Sequence, residues 1–342
     1  MRGFGSVEML TRLLLMHGSG LSLEQTALRA REHGLARISA VALHDRLKAS
    51  SGFFGELCQF VQGKMRDRLG ELPWPEGWKL RAIDATEVSE PGPTGSPWRV
   101  HYSLRLPELV CDHFEISDTR AGETLRRWKI APDEVVLADR AYSHREAVRE
   151  LMKIGANFVV RLNTGFFPLE HLSGKPVELG SLLTPLREGK PRSWKVFVSR
   201  AAARHSLRLC AVKKSVQAAA LARKKARRRA QRDGSTIQEQ TLLVAHYIVV
   251  LTSLRAEDWS DRAVLDLYRC RWQVELAFKR LKSLLQLGHL PKKDPRTAQA
   301  WMHLKLLLAL LIEELLFEAK FIFPWGYKLS ADQPLARFQG SR

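Results

Sequence analysis

The run Glu134-Val135-Val136-Leu137-Ala138-Asp139 decides the fold. A short apolar segment closed by an Asp reads as a strand that delivers a carboxylate to its end. Upstream, Lys79 to Ile83 leads in the same way into Asp84, and Trp98 to Leu104 and Leu109 to Ile116 read as two more strands. Downstream, Ser143 to Ile154 has helical spacing and Asn157 to Leu162 is strand-like. His246 to Thr252 reads as another strand, and a long helix is expected from Ala263 to Leu285. Strands in a meander, followed by strands alternating with helices, describe a mixed α/β fold.

The first 70 residues read as helices. Ser22 with Gln25 forms a capping box ahead of a helix from Leu23 to His33, and Gly34 supplies its stop. Ser39 caps a second helix to about Lys48, so the pair resembles a helix-turn-helix, although a plain helical bundle gives the same pattern. Phe53, Leu57, Phe60, Val61, Met65 and Leu69 fall at helical spacing, as a packing face does. Pro73-Trp74-Pro75 ends this region. From Gly165 to Tyr247 the pattern is irregular, with Pro168, Pro176, Pro185 and Pro191, strand-like pieces at Trp194 to Ser199 and Leu207 to Val212, and a basic helix. It reads as an insertion. A helical stretch from Met302 to Phe317 precedes a tail from about Phe321. The expected division is a helical N-terminal DNA-binding domain over 1–75, a core in two parts over 76–165 and 246–320, a β-rich insertion over 166–245, and a tail over 321–342.

Charge narrows the partner. The 342 residues hold 55 Lys and Arg against 36 Asp and Glu, a formal net charge of +19. Such a surplus suits nucleic acid or an anionic membrane surface. The longest apolar run, Leu306 to Ile312, is framed by Lys305, Glu313 and Glu314 and is too short to span a bilayer. Glu8 and Arg12 interrupt the place where a signal peptide needs apolar residues, so a cytoplasmic, nucleoid-associated protein with no membrane partner is expected. Cys58, Cys111, Cys210 and Cys270 lie far apart with no C-x-x-C pair, which argues against a disulfide framework and structural zinc. Residues 213–232 carry nine basic side chains (Lys213, Lys214, Arg223, Lys224, Lys225, Arg227, Arg228, Arg229 and Arg232) and no acidic one. A solvated helix would explain them, but so dense a run repels itself unless phosphates neutralise it. Arg223, Lys224, Lys225, Arg227, Arg228 and Arg229 are therefore candidate DNA contacts.

Taken singly, Asp84 and Asp139 are most simply turn or helix caps. Strand ends in an α/β sheet are nonetheless where a rigid backbone holds carboxylates toward a shared point. On the expected long helix, Tyr268, Arg271, Glu275 and Lys282 fall along one face, while Val264, Leu267, Val274, Phe278, Leu281 and Leu285 take the core positions. Ion pairs such as Arg271 with Glu275 would account for that face blandly. The functional reading is a carboxylate for a hard cation, flanked by groups suited to phosphate oxygens. Asp84, Asp139 and Glu275, from separate elements, can hold two Mg²⁺ ions, with Mn²⁺ as a substitute, that activate a water or a 3′-hydroxyl. Hard cations take oxygen ligands, so no Cys/His cluster is needed.

These residues resemble a known family. Tyr268-Arg269-Cys270-Arg271-Trp272-Gln273-Val274-Glu275, with Lys282 seven further on, matches the Tyr-Arg-Glu-Lys signature of one large branch of bacterial insertion-sequence transposases. Ile83-Asp84-Ala85-Thr86 is similar to that branch's first Asp motif, and Val136 to Tyr142 to its second. Ser117-Asp118, Gly122 to Leu125 and Leu287 to Pro295 also look familial, and the resemblance runs from about residue 20 to 317. It implies an RNase H-like catalytic core, with Asp84, Asp139 and Glu275 as catalytic metal ligands and Tyr268, Arg271 and Lys282 as contacts to phosphates at the element end. Arg140, Trp272 and Lys279, beside these motifs, are expected DNA contacts as well. Family members carry an aromatic before the signature helix that stacks on a flipped base; in His246-Tyr247-Ile248-Val249 only Tyr247 is available for that place. The implied partners are double-stranded DNA, as terminal inverted repeats and as target, and a second copy of the chain in a homodimeric synaptic complex. The implied reaction is metal-dependent cleavage at the element ends and transfer of the 3′-hydroxyl into target DNA.

Two rivals remain at this level. A tyrosine recombinase needs H-x-x-R and a downstream Tyr, which His205, Arg208 and Tyr247 satisfy loosely. A DNA-binding remnant of a transposase would bind through the basic regions without cutting.

Overall fold

A computed structural model of the chain describes residues 7–70, 79–92, 95, 97–106, 108–164, 167–200 and 203–322. The expected Pro73-Trp74-Pro75 break, most of the tail and Leu69's side chain lie outside them. Among the described residues there are eight strands: β1 (Lys79–Val88), β2 (Trp98–Leu106), β3 (Val110–Asp118), β4 (Glu134–Ala138), β5 (Asn157–Arg161), β6 (Arg192–Arg200), β7 (Ala203–Lys213) and β8 (Tyr247–Thr252). The first half of β1, then β4, β5, β8, β7 and β6 hydrogen-bond in that order as one mixed sheet, and β3 pairs with β2, so the fold is α/β as expected. By compactness the chain divides into a helical unit, with the described residues of Met1–Pro73, Asp84–Gly122 and Gln273–Gln333, and a sheet unit, with those of Trp74–Ile83 and Glu123–Trp272.

In the sheet unit, β1 up to Ile83 runs parallel to β4, from Lys79 opposite Glu134 to Ile83 opposite Ala138, and β4 runs parallel to β5. β4 is buried along its whole length. Helix α5 (Arg145–Lys153) turns Ala147, Val148 and Leu151 toward a core that includes Val136, Ala138, Phe158 and Val160. The alternate residues Val135, Leu137 and Val159 are equally buried, and a strand sends neighbours to opposite faces. Helix α9 (Asp261–Cys270) packs on β4, β5 and β7. Each such Val, Leu or Phe removed from water stabilises the fold by about 1.5–3 kcal/mol. Beyond β5 the sheet turns antiparallel, with β8 on β5, β7 on β8 and β6 on β7. The strands of the expected insertion thus add directly to this sheet, and Leu207, Leu209 and Ala211 extend the same apolar core. Between these strands lie α6 (Leu179–Leu183), the basic helix α7 (Val216–Arg232) and α8 (Glu239–Val244).

The helical unit begins with α1 (Val7–Gly18), α2 (Leu23–Glu32), α3 (Ala40–Ala49) and α4 (Ser51–Gly70). The Ser22–Gln25 capping box is present in both directions, Gly34 has φ +64° as a helix stop requires, and Ser39 accepts from the Ala42 N–H. The packing face of α4 differs from expectation. Val61 and Met65 are buried as expected and Phe53 and Leu57 are half-buried, but Phe54 and Cys58 are the more buried residues of the first turns and Phe60 is 63% exposed. Helix α11 (Pro295–Ile322) packs along α4 and also meets α1, α3 and β3. Strands β2 and β3 pair antiparallel, with a bulge where the register moves from Ser103–His113 to Leu104–Cys111.

One expected helix is two. The stretch from Ala263 to Leu285 forms α9, which ends at Cys270, and α10 (Trp272–Ser283), which starts anew after Arg271. The Arg271 N–H reaches Tyr268 O, three residues back, rather than four, which tightens the turn and interrupts the ladder. Val264, Leu267, Val274, Phe278 and Leu281 are buried as expected, whereas Leu285 lies beyond the helix end and is half-buried.

Candidate active site

In the sheet unit the site starts from β4. Ala138 is its last residue and the pairing partner of Ile83; Asp139 follows it, as Asp84 follows Ile83 in the chain. Asp139 caps the 3-10 turn Arg140–Tyr142, its Oδ1 accepting from the Ala141 N–H at 2.6 Å. Tyr142 is fully buried and anchors that turn, while Arg140 keeps part of its surface in solvent. The cap and the strand-end carboxylate are thus one residue: one oxygen is committed to the backbone, which fixes the rotamer.

Cations converge on this strand end. Burial holds the Arg140 guanidinium below its ordinary value, with Arg161 and Arg229 adding to that effect and Asp139 opposing it. Tyr268, at the last turn of α9, is buried, and the Arg271 guanidinium carbon lies 5.7 Å from its ring centroid. Burial raises the Tyr268 phenol, with Arg271 and Arg161 pulling it down and Asp139 pushing it up. Lys214 donates to Ala245 O at 2.8 Å, and burial, then Arg161, lowers its ammonium to about 8. Sequence reasoning passed over Arg161 and read Lys214 only as one member of the basic run 213–232. Arg161 could have been found as the basic residue closing β5, the parallel neighbour of β4; Lys214 directly follows β7, of which Leu207 to Val212 was read as strand-like.

Two expected residues stand differently. Tyr247, expected to stack on a base, is 4% exposed and belongs to the apolar core, where burial raises its phenol. Trp272, in contrast, is 56% exposed beside Arg271. Helix α7 carries Arg223, Lys224, Lys225, Arg227, Arg228, Arg229 and Arg232; all are exposed except the half-buried Arg223. The H-x-x-R rival fails on placement. Arg208 is buried, and its guanidinium binds Asp261, the carbonyl of Trp259 at 2.6 Å and Ser193 Oγ at 3.2 Å. It braces the start of α9, and the Tyr247 phenol that would be its nucleophile is in the core.

In the helical unit, Asp84 is not at a strand end as expected, because β1 continues four residues past it. Its Oδ1 accepts from the Ala85 N–H at 2.8 Å. Glu275 lies in the first turn of α10, half-buried. Two turns on, Lys282 keeps its stem against Gly288, whose added Cβ would stand 3.5 Å from Lys282 Cγ. Burial lowers the Lys282 ammonium, and Glu87 of β1 pulls it back up. The Leu287 to Pro295 segment is docked on the end of β1: the Ser89 N–H donates to Gly288 O at 3.0 Å and the Leu290 N–H to Ser89 O at 2.9 Å. Lys279 is exposed on α10, and Lys48 pairs with Asp294 at 2.8 Å.

Asp84 and Glu275 thus belong to the helical unit and Asp139 to the sheet unit. Among the described residues no three Asp, Glu, His or Cys side chains group closely enough to form a metal cage. The donor chemistry of Asp84, Asp139 and Glu275 nevertheless fits a hard divalent cation, which takes carboxylate oxygens rather than nitrogen or sulfur. The thiols do not compete, since Cys58, Cys111 and Cys210 are buried, and burial pushes Cys58 and Cys210 up to about 12. Among the described residues no helix is long and apolar enough to cross a membrane.

Known proteins resemble the chain as follows. Residues 115–312 match the family model described as Transposase DDE domain. The chain is 33% identical over 314 residues to the InsL transposase for insertion sequence element IS186A of Escherichia coli strain K12, covering 90% of this chain and 84% of that protein. It is also 33% identical over 315 residues to the transposase for insertion sequence element IS421 of Escherichia coli, with the same coverage. A solved piggyBac transposase synaptic complex with hairpin DNA gives a TM-score of 0.42 at 10% identity, covering 98% of this chain and 76% of that one, too distant to bear on the assignment.

Proposed function

Because the chain belongs to the DDE transposase family of insertion sequences, we propose that Asp84, Asp139 and Glu275 are its catalytic carboxylates and that the substrate is the DNA at the ends of its own element. The protein is a transposase, an enzyme that cuts and rejoins DNA with the divalent-metal dependence of its family. The observation that carries the residue assignment is the Ile83–Ala138 pairing of parallel β1 and β4, after which the chain runs directly into Asp84 and Asp139.

In this reading Asp84, Asp139 and Glu275 hold two Mg²⁺ ions, for which Mn²⁺ substitutes. Bound there, divalent cations make the attacking oxygen more acidic and spread the charge of the pentacoordinate phosphorus. The chain's own groups do the positioning. Tyr268, Arg271 and Lys282 hold phosphate oxygens at the element end, and Arg140, Trp272 and Lys279 extend that contact. Water displaces the 3′-oxygen at the element boundary; the freed 3′-hydroxyl then attacks a target phosphodiester, forming one P–O bond as another breaks. Arg223 through Arg229 of α7 bind DNA backbone, and the α2–α3 pair, in a DNA-binding domain over 1–75, reads the terminal repeat. The α/β core over 76–165 and 246–320 is RNase H-like, interrupted by the segment 166–245. Two protomers pair two ends in a synaptic complex, and the protein works on the nucleoid.

The test is cleavage of a duplex carrying the inverted repeats that bracket the gene. Purified protein with Mg²⁺ cuts it, and Asp84→Ala, Asp139→Ala and Glu275→Ala abolish cutting while still binding the duplex. Salt-sensitive binding with no cutting by the unaltered protein identifies a remnant instead.

A further inference from the structure

Helix α10 carries two of the proposed functional groups, Glu275 and Lys282, and between them, three residues after the first and four before the second, it turns Phe278 inward. Phe278 meets the ring of Tyr102 on β2 edge-on, with centroids 5.7 Å apart and planes at 63°. Tyr102 is fully buried, and its phenol O–H donates to Glu313 Oε1 at 3.0 Å. The other oxygen, Oε2, accepts from the Cys111 N–H at 2.9 Å. Cys111 stands at the bulge in the β2–β3 ladder, where the register slips and a backbone donor needs a partner from elsewhere. Glu313 is half-buried on α11, and Arg280 of α10 acts on it electrostatically. One carboxyl group thus ties α11 to a bulge, to a phenol and, through the phenol's ring, to α10.

A carboxyl in this position is an expensive way to fill space. Burial raises it above its ordinary value, while the Cys111 N–H, the Tyr102 hydroxyl and Arg280 act against that rise. An apolar residue would avoid the desolvation, but it would strand the Cys111 N–H and the phenol without an acceptor. What Glu313 supplies is a fixed geometry. Because Phe278 is within one helical turn of both Glu275 and Lys282, a shift of the Tyr102 ring displaces both. Groups that orient a reacting constellation must hold it to about 0.5 Å.

We propose that Glu313 and Tyr102 are positioning residues for the transposition reaction: they act as a clamp that sets the seat of α10 and hence the place of Glu275 as a metal ligand. The inference rests on the assignment of Glu275 made above. Its test measures Mn²⁺ binding directly, by the EPR signal of the free ion, in the full-length protein without DNA. Glu313→Ala weakens Mn²⁺ binding roughly tenfold, at the lower end for groups that orient metal ligands. Glu313→Gln, whose amide oxygen still accepts from Cys111 and whose amide N–H can bond the phenol oxygen, restores most of the affinity. Circular dichroism and melting check that each variant is folded. Should Glu313→Ala not fold, Phe278→Leu, which removes only the ring contact, carries the same expectation. Folded variants that bind Mn²⁺ as tightly as the unaltered protein overturn the clamp. Glu275→Gln separates the two claims. If it loses the ion while the clamp variants keep it, the clamp alone is refuted; if it too keeps the ion, the assignment of Glu275 fails and the clamp fails with it.

Discussion

Lys305 lies in the middle of α11 and is 1% exposed. Its Nζ donates to the carbonyl of Gly18, at the last turn of α1, at 2.6 Å, and sits 4.2 Å from the centre of the Trp301 ring. It supplies a donor to a helix C-terminus that has carbonyls to spare, and a cation where the helix dipole favours one. Burial nevertheless lowers its ammonium from 10.5 to about 8. That difference corresponds to about 3 kcal/mol of penalty on the charged form. Between pH 8 and 10.5 the unfolded chain holds this proton and the folded protein does not, so stability rises with pH through that window, by at most about 1.4 kcal/mol per pH unit. Below pH 8 both states are protonated and the penalty is fully present. Lys305→Met removes the penalty but leaves Gly18 O without its donor, a loss of about 1–3 kcal/mol. The two nearly cancel at pH 7.5, and the variant then falls behind the unaltered protein by about 2–3 kcal/mol as pH approaches 10. His17, whose ring is 5.2 Å from Trp301 and whose own value burial lowers, titrates below this range, and groups such as Lys214 that titrate within it are common to both proteins, so the difference between their urea-unfolding profiles from pH 7.5 to 10 reports the lysine. Parallel stability profiles for the two proteins would refute the reasoning.

Three further outcomes follow from the packing and charge. A methyl group on Gly18 would stand 2.7 Å from Leu304 Cγ and 2.9 Å from Leu308 Cδ1, so Gly18→Ala destabilises by about 1–2 kcal/mol, overpacking outweighing the helix propensity gained; urea unfolding at neutral pH reads it. Arg208→Met leaves Asp261 and the Trp259 carbonyl without their shared guanidinium and destabilises by about 2–4 kcal/mol, visible as a lowered melting temperature. Replacing Arg227, Arg228 and Arg229 by Ala weakens binding to duplexes of any sequence and reduces the slope of log K against log salt by up to about 3, roughly one for each phosphate that is no longer neutralised. A sequence-dependent loss would place these residues on bases instead.

The elements that sequence disclosed best are those whose determinants are local. The Ser22–Gln25 box, the Ser39 cap and the Glu134–Ala138 run all landed within a residue, because cap hydrogen bonds and a short apolar run depend on neighbours in the chain. The break at Arg271 was hidden: neither Arg nor Trp breaks helices, and no Gly or Pro marks the place. The continuation of β1 past Asp84 was hidden too, since Thr86 and Glu87 read as polar, and in the strand the first is half-buried and the second exposed. Glu313 looked like the solvated flank of an apolar run, and its inward turn depends on a bulge in a hairpin some 200 residues upstream. Of the site, the signature residues were legible as residue types at set spacings. Arg161 was not, because one Arg at a strand end has no pattern; only the neighbouring strand gives it a partner.

The central claim is that Asp84, Asp139 and Glu275 act together on DNA. The most direct measurement is single-turnover cleavage of a duplex carrying the element's inverted repeat, in Mg²⁺, by the unaltered protein and by Asp84→Asn, Asp139→Asn and Glu275→Gln, each verified to bind that duplex. The account predicts that each substitution alone abolishes both nicking and strand transfer with binding retained. Cutting at the unaltered rate by any one of the three would contradict it.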